Sequence, residues 1–496
     1  MQNIEDKIKI GHIKSIATKD KLAISDKLID LFRMFNISAL CLKNNMIKFK
    51  GYSVSDIISV LTLFPFMALS TVNSFMLSRF KQLIDAQKDT FFRLKNNEYY
   101  NWRNLLLLCG KRFNKLNARH DDHHADESSD EPQCLIFDDS LLRKVGMKIE
   151  FIGKVFDHVT KDWVLGFKLL LLAFWDGNSL IPLDFSYHAE KGNNKKYPFG
   201  LLKRQLNKRF SKPRSNDAAG YKRAQEVFVD KISNAIAMIK RAVKHGFVPD
   251  YVLCDSWFSV KKLIKTVRQL KKGIIHFLGM VKMDKRRYEY QGQQLNAKEL
   301  IKKLKPTMMK RAKKLKAYYI EVVVNYSDIG PVKLFLTRFS KRSKWRLILS
   351  TDLNLSFHQA MKIYNIRWTI EVLFKDCKQH LNLGKCQSND FDAQIADTTI
   401  SLLAYMMLSF HKKMHSYNTL GALFAQYRDE FIEATVAEKL WQLFITLQLT
   451  IAEILEIDCT KMMRVIFQLP EVNNMFKSLS KIFFEDNCSI EFKKAA

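Results

Sequence analysis

Apolar residues recur at three-and-four spacing through residues 1–118, which predicts a helical segment. Near residue 134 the period changes. Cys134-Leu-Ile-Phe-Asp138 is a short apolar run ending in an acid, the pattern of a buried strand with a carboxylate at its tip. Lys154–His158 and Val164–Phe174 predict two more strands joined by a turn at Lys161-Asp162. After the turn signal Asp176-Gly177-Asn178, Ser179–Tyr187 continues the sheet. Residues 189–224 are basic and polar, with Gly, Asn, Lys and Pro frequent, and predict a loop region. Ala224–His245 has helical spacing, and Tyr251-Val-Leu-Cys-Asp255 is a second apolar run ending in an acid. Strand character returns at Ile274–Lys282, Tyr318–Tyr326, Val332–Phe339 and Trp345–Ser350. From Ser356 the pattern is helical almost to the end, apart from Leu383–Asp392, and no internal repeat is evident.

Two stretches call for a membrane test. Ile57–Leu77 is uncharged but interrupted by Pro65, Asn73 and several hydroxyl residues, and Trp163–Trp175 is short and carries Lys168. Both read as buried core elements rather than spans, so no membrane partner is expected. The 496 residues allow two to four domains, and an apolar fraction of 47% supplies real cores. Charge changes the picture most. The chain has 81 Lys+Arg against 50 Asp+Glu, a formal net charge of +31, which points to a polyphosphate partner such as nucleic acid. Eight scattered cysteines form no C-x-x-C pair, which argues against zinc and disulfide frameworks and for a reducing cytosol. Met1–Ser15 lacks the architecture of a secretion signal.

His120-to-Glu131 clusters histidines and acids at spacings that fit no metal template, so an acidic boundary loop is the better reading. The candidate chemistry lies elsewhere. Asp138 and Asp255 close two strand-like runs, where α/β folds present functional side chains, although acids also cap strands and helices. A third carboxylate follows in Tyr364-Asn-Ile-Arg367-Trp-Thr-Ile-Glu371-Val-Leu-Phe-Lys-Asp-Cys-Lys378. At about 100° per residue, Tyr364, Arg367, Glu371 and Lys378 fall within an arc of roughly 60° on one helix face. A solvated face also collects charge, but a Tyr and an Arg beside a Glu favour function.

Tyr-x2-Arg-x3-Glu-x6-Lys resembles the signature of bacterial insertion-sequence transposases with a DDE triad, specifically insertion-sequence family four. Asp138-Asp139-Ser140, Lys144-x-Gly146, Val155-Phe-Asp157-His158, Trp175-Asp-Gly177, Ile181-Pro-Leu-Asp184 and Cys254-Asp255-Ser256-Trp257-Phe258 agree with it, in order, over about residues 134–385. Ser140 stands where a Thr is commoner. The resemblance implies a ribonuclease-H-like α/β catalytic core at 134–385 with a β-rich insertion at about 270–350. It also implies an acidic linker at 119–133, flanked by a helical N-terminal DNA-end-binding domain at 1–118 and a helical C-terminal domain at 386–496. Asp138, Asp255 and Glu371 would hold two divalent ions, Mg²⁺ with Mn²⁺ able to replace it, and Asp138 would bridge them. Arg367, Lys378 and Tyr364 would contact DNA backbone. Trp345 would stack on a flipped base, its alternative being a core aromatic at a strand start. The basic stretches Lys203–Arg223 and Lys302–Lys316, the latter with Lys or Arg at eight of fifteen positions, are further candidates for backbone contacts. The implied activity is cut-and-paste transposition. Inverted-repeat ends are bound, nicked, hairpinned and joined through a 3′-OH to target DNA, by a homodimer in the bacterial cytoplasm at the nucleoid. Two other readings stand beside it: a silent DNA-binding descendant of a transposase, and another ribonuclease-H-like nuclease.

Overall fold

The computed structural model describes residues 30–121, 131–304, 308–340, 342–414 and 419–429, with a few positions between 450 and 474. The chain divides into two compact units, residues 25–428 and a second made of 1–24 with 429–496. The expectations for residues 1–29, for most of the acidic boundary loop and for the chain beyond 429 fall mainly outside the described residues.

The first unit opens with helices α1 (Ile37–Lys43), α2 (Val54–Leu63), α3 (Val72–Met76), α4 (Lys88–Lys95) and α5 (Trp102–Asp121). Ser53 starts α2 through a capping box with Asp56, which satisfies two backbone amides that a helix start leaves open. The uncharged stretch beginning at Ile57 buries Ile57, Ile58, Phe66 and Phe75, and Phe75 meets Phe64 with ring centroids 5.1 Å apart. Among the described residues no helix is long and apolar enough to cross a membrane.

Among the described residues, twelve strands then form one mixed sheet. They are β1 (Cys134–Arg143), β2 (Gly153–Asp157), β3 (Asp162–Trp175), β4 (Leu180–His188), β5 (Tyr251–Cys254), β6 (His276–Val281), β7 (Arg287–Tyr290), β8 (Gln293–Asn296), β9 (Lys310–Ala312), β10 (Ala317–Asn325), β11 (Pro331–Arg338) and β12 (Arg346–Ser350). The order is β2-β3-β1-β5-β6-β12-β11-β10-β7-β8, with β4 added to β3 and β9 to β10. β3 pairs antiparallel with β1, whereas β1, β5 and β6 run parallel to one another. The β-rich segment therefore extends the same sheet, through the antiparallel pairing of β12 with β6.

Asp138 is not at the tip of its strand, because β1 runs on to Arg143, paired with β3 along its whole length. The partner that stops is β5, which pairs with only Cys134–Ile136. Asp138 thus lies just past the point where the parallel neighbour ends, in the position a strand tip would have offered.

The region 189–224 is also more ordered than a loop. It holds α6 (Lys203–Leu206) and α7 (Ala219–Glu226), followed along the chain by α8 (Lys231–Lys244), α9 (Lys261–Gln269) and α10 (Ala297–Lys303). Several of its cations are turned inward. The Arg214 guanidinium donates to Glu150 at 2.6 and 2.8 Å and to Asp392 at 3.0 Å, all three side chains being 3% exposed. Arg223 donates to the Phe185 carbonyl and is likewise buried. These residues are tied into the fold, and Lys191, Lys195, Lys196, Lys203, Arg204, Lys208 and Lys222 are the exposed cations there.

At the end of β4, His188 is buried, with its ring nitrogens against Ser186 Oγ at 2.8 Å and the Val229 carbonyl at 3.1 Å. Burial, with the nearby Lys231 charge, pushes its pKa from 6.5 down to about 4. The unfolded chain takes up this proton near 6.5, the folded protein only near 4, so the stabilisation is complete above 6.5 and is lost as pH falls toward 4. The full loss is on the order of 3 kcal/mol. Urea midpoints measured across that window should fall less steeply in His188→Gln than in the wild type, and equal slopes would show that His188 does not set the acid limb.

Candidate active site

The site is built where β1 and β5 end their pairing and a helix crosses them. Helix α11 (Phe357–Ile366), started by a Ser356–Gln359 capping box, leads through Arg367 into α12 (Trp368–His380), which packs on β1. Arg367 keeps right-handed helical backbone angles, so the polar stripe continues across the junction. Alternation along β1 places Asp138 and Ser140 on one face and Asp139 on the other. The two β1 residues on the first face meet α12. Arg367 Nη1 donates to Asp138 Oδ2 at 3.2 Å, and its Nη2 donates to Glu371 Oε1 at 2.7 Å. About two turns beyond Glu371, Lys378 Nζ donates to Ser140 Oγ at 2.7 Å. The stripe read from helical spacing is therefore the surface that faces the first acid's strand.

Asp255 follows β5 directly, and its Oδ1 accepts from the amides of Trp257 at 2.9 Å and Phe258 at 3.3 Å, which fixes the carboxylate at the turn. Burial pushes the Asp138 carboxyl up to about 7, helped by the like charges of Asp255 and Asp139 and opposed by the Asp139 amide and Arg367. Tyr364 is 9% exposed, with the Arg367 guanidinium 5.8 Å from its ring centroid. Burial raises its hydroxyl to about 12, so it stays protonated and able to donate. Burial also lowers the Lys378 pKa.

The three acids are not drawn into one ligand cluster. Among the described residues no group of three or more His, Cys, Asp or Glu side chains is close enough to hold a metal. Asp138 and Glu371 are bridged by Arg367, whose buried Nε has no hydrogen-bond partner. The donor chemistry still suits a divalent ion. All three candidates are hard carboxylate oxygens, and the burial that raises Asp138, with the like charges beside it, is what a bound cation would offset.

Trp345 lies outside this cluster, half-buried just before β12, with the Arg338 guanidinium 4.4 Å from its ring centroid. Two residues near the acids escaped the sequence reading. Lys231, at the start of α8, pairs with Asp139 Oδ2 at 2.5 Å and sits 5.1 Å from the ring centroid of Trp257, which is 46% exposed. Trp257 stood inside a quoted motif without a role. Lys231 carried no local signal, since 92 positions separate it from Asp139.

A mixed sheet that presents acids on two parallel-paired strands, with a third acid on the covering helix, defines an α/β class with carboxylate chemistry. Residues 217–407 match the family model described as the transposase DDE domain. The match supports a DDE transposase, and the domain implies a ribonuclease-H-like fold, metal-dependent nuclease and transposase activity, and DNA binding. The matched segment contains Asp255 and Glu371 and begins after Asp138. No curated protein matches the chain.

Proposed function

We propose that the chain is a cut-and-paste transposase of the insertion-sequence-family-four type, with Asp138, Asp255 and Glu371 as its triad. The observation that carries this reading is the bridge from Arg367 to both Asp138 and Glu371, residues 229 and 4 positions away in sequence. Asp138, Asp255 and Glu371 would hold Mg²⁺, or Mn²⁺ in its place. Bound there, the divalent ions neutralise charge at the attacking and leaving oxygens of a phosphodiester.

The chain's own residues supply the rest. Arg367 exchanges its carboxylate partners for a DNA phosphate, for which its planar donors are suited. Lys378 holds the neighbouring phosphate from its place beside Ser140. Tyr364 donates to the same backbone, and Trp345 stacks on a base turned out of the duplex. The substrates are inverted-repeat ends and target DNA, and the reaction passes through nicking, a hairpin end and joining of the freed 3′-OH. Residues 1–118 serve end recognition, residues 386–496 subunit pairing or DNA contact, and a homodimer holds the two ends. The site of action is the bacterial cytoplasm at the nucleoid. The test is incubation with Mg²⁺ and DNA carrying the repeats that flank the coding region. Excised fragments with hairpin ends support the reading. Cleavage without hairpins points to another nuclease of this fold, and binding without cleavage points to a silent descendant.

A further inference from the structure

The turn between β11 and β12 carries two arginine–aromatic pairs on opposite faces. The ladder pairs Thr337 with Arg346, so Arg338 lies across from Trp345 at the next step. Neighbouring residues on a strand point to opposite sides. On one side the Arg338 guanidinium lies 4.4 Å from the Trp345 ring centroid, and on the other the Arg346 guanidinium lies 4.8 Å from the Phe339 ring centroid. The turn is held by Ser340 and Ser343. Ser340 N donates to Ser343 Oγ at 2.9 Å, Ser343 N donates to Ser340 Oγ at 3.1 Å, and Ser343 Oγ donates to the Ser340 carbonyl at 3.0 Å. Phe339 is 53% exposed at this tip, surrounded by cations in sequence. Arg338, Lys341, Arg342, Lys344 and Arg346 surround it in sequence, with no acid between them.

A hairpin closed only for its own stability needs neither this cation density nor a half-exposed Phe. Both suit opened nucleic acid, in which phosphates and base faces are available together. We propose that this turn is a two-sided wedge for opened DNA, with one unpaired base stacked on Trp345 and a second, on the other face of the hairpin, stacked on Phe339. The cations hold the phosphates between them. The Phe339 platform and the wedge are additional to the role given to Trp345 above, and they rest on the reading of this chain as a DNA-processing protein. The Ser340–Ser343 lock sets the tip before DNA arrives, so little ordering cost opposes binding.

The test compares binding of the intact chain to a labelled, fully paired duplex and to the same duplex with a short mismatch bubble, without metal. The wild type should prefer the bubble. Phe339→Ala should weaken bubble binding by about 5- to 150-fold, the range expected for one lost base stack, with paired-duplex binding and the melting temperature unchanged. Phe339→Trp should restore it and Phe339→Leu should not. Equal binding of wild type to both duplexes, unchanged bubble binding in Phe339→Ala, or full rescue by Leu would overturn the wedge. Cleavage by Asp138→Asn is scored separately. A wild type that cleaves but shows no bubble preference removes the wedge alone, whereas an Asp138→Asn that still cleaves removes the proposed active site alone.

Discussion

Glu371→Gln is expected to abolish strand cleavage, lowering the rate on the order of a thousandfold or more, with DNA affinity changed by less than about tenfold. The substitution preserves shape and leaves an amide oxygen able to accept from Arg367 Nη2, which now donates to Glu371 Oε1 at 2.7 Å. What disappears is one negative charge. In folding terms the charge is of little consequence. The Glu371 side chain is 35% exposed, and Arg367 retains its ion pair with Asp138 Oδ2 at 3.2 Å. Pairs with such exposure contribute roughly a kcal/mol or less. In catalysis the charge matters greatly, because a carboxylate that holds a divalent ion cannot be replaced by a neutral amide. The comparison of interest is with Asp138→Asn, at the carboxyl that burial holds near 7. Both variants should lose cleavage while keeping the wild-type melting temperature and duplex affinity. A Glu371→Gln protein that still cut DNA at the wild-type rate would remove Glu371 from the active site.

Much of this site was legible in the sequence, for reasons that differ by residue. The polar stripe Tyr364–Arg367–Glu371–Lys378 follows from helical period alone, and the junction at Arg367 preserves it because that residue keeps helical backbone angles. Asp138 and Asp255 were legible because apolar runs preceded them, but the end of β1 was misplaced. Asp139 and Ser140 interrupt the apolar pattern, whereas the strand runs on because it stays paired with β3 from Trp175 to Gly166. Pairing between strands leaves no local trace. The same holds for Lys231 and Asp139, and for the inward-facing arginines of 189–224. A run of Lys, Arg and Gly looks alike whether its cations face water or buried acids. Arg214 needs Glu150 and Asp392, each supplied by a distant part of the chain. The opposed aromatics of the β11–β12 turn depended on register as well, which is why Trp345 was marked by resemblance and Phe339 by nothing.

The largest loss of stability is expected from Asp184→Ala, about 3–5 kcal/mol in urea unfolding. Asp184 lies on β4 with its side chain 1% exposed, and three arginines converge on it from three helices. Arg103 of α5 donates through Nε to Oδ1 at 2.7 Å, Arg241 of α8 donates to Oδ2 at 2.8 Å, and Arg223 of α7 reaches Oδ1 at 3.7 Å. Glu226 is the other acid of the network, gripped by Arg103 at 2.5 and 2.7 Å. Three guanidinium groups thus share two carboxylates. The crowding is felt by Arg223, which burial and the positive charge of Arg103 push down to about 9. Removal of Asp184 leaves three cations, Arg223 buried and Arg103 and Arg241 part-buried, against one acid, and the cost comes mainly from that uncompensated charge rather than from the lost contacts. Asp184→Asn should therefore be nearly as harmful as Asp184→Ala, although its shape is almost unchanged. Glu226→Gln should cost less, since the Glu226 side chain is 16% exposed and water can share the burden. The network joins α5 to β4, and β3 separates β4 from β1 and its acid. Well below its lowered melting temperature, Asp184→Asn should consequently retain any cleavage that depends on Asp138. An Asp184→Asn protein as stable as the wild type would mean that the arginines relax into solvent, and that apolar packing alone fixes α5 to the sheet.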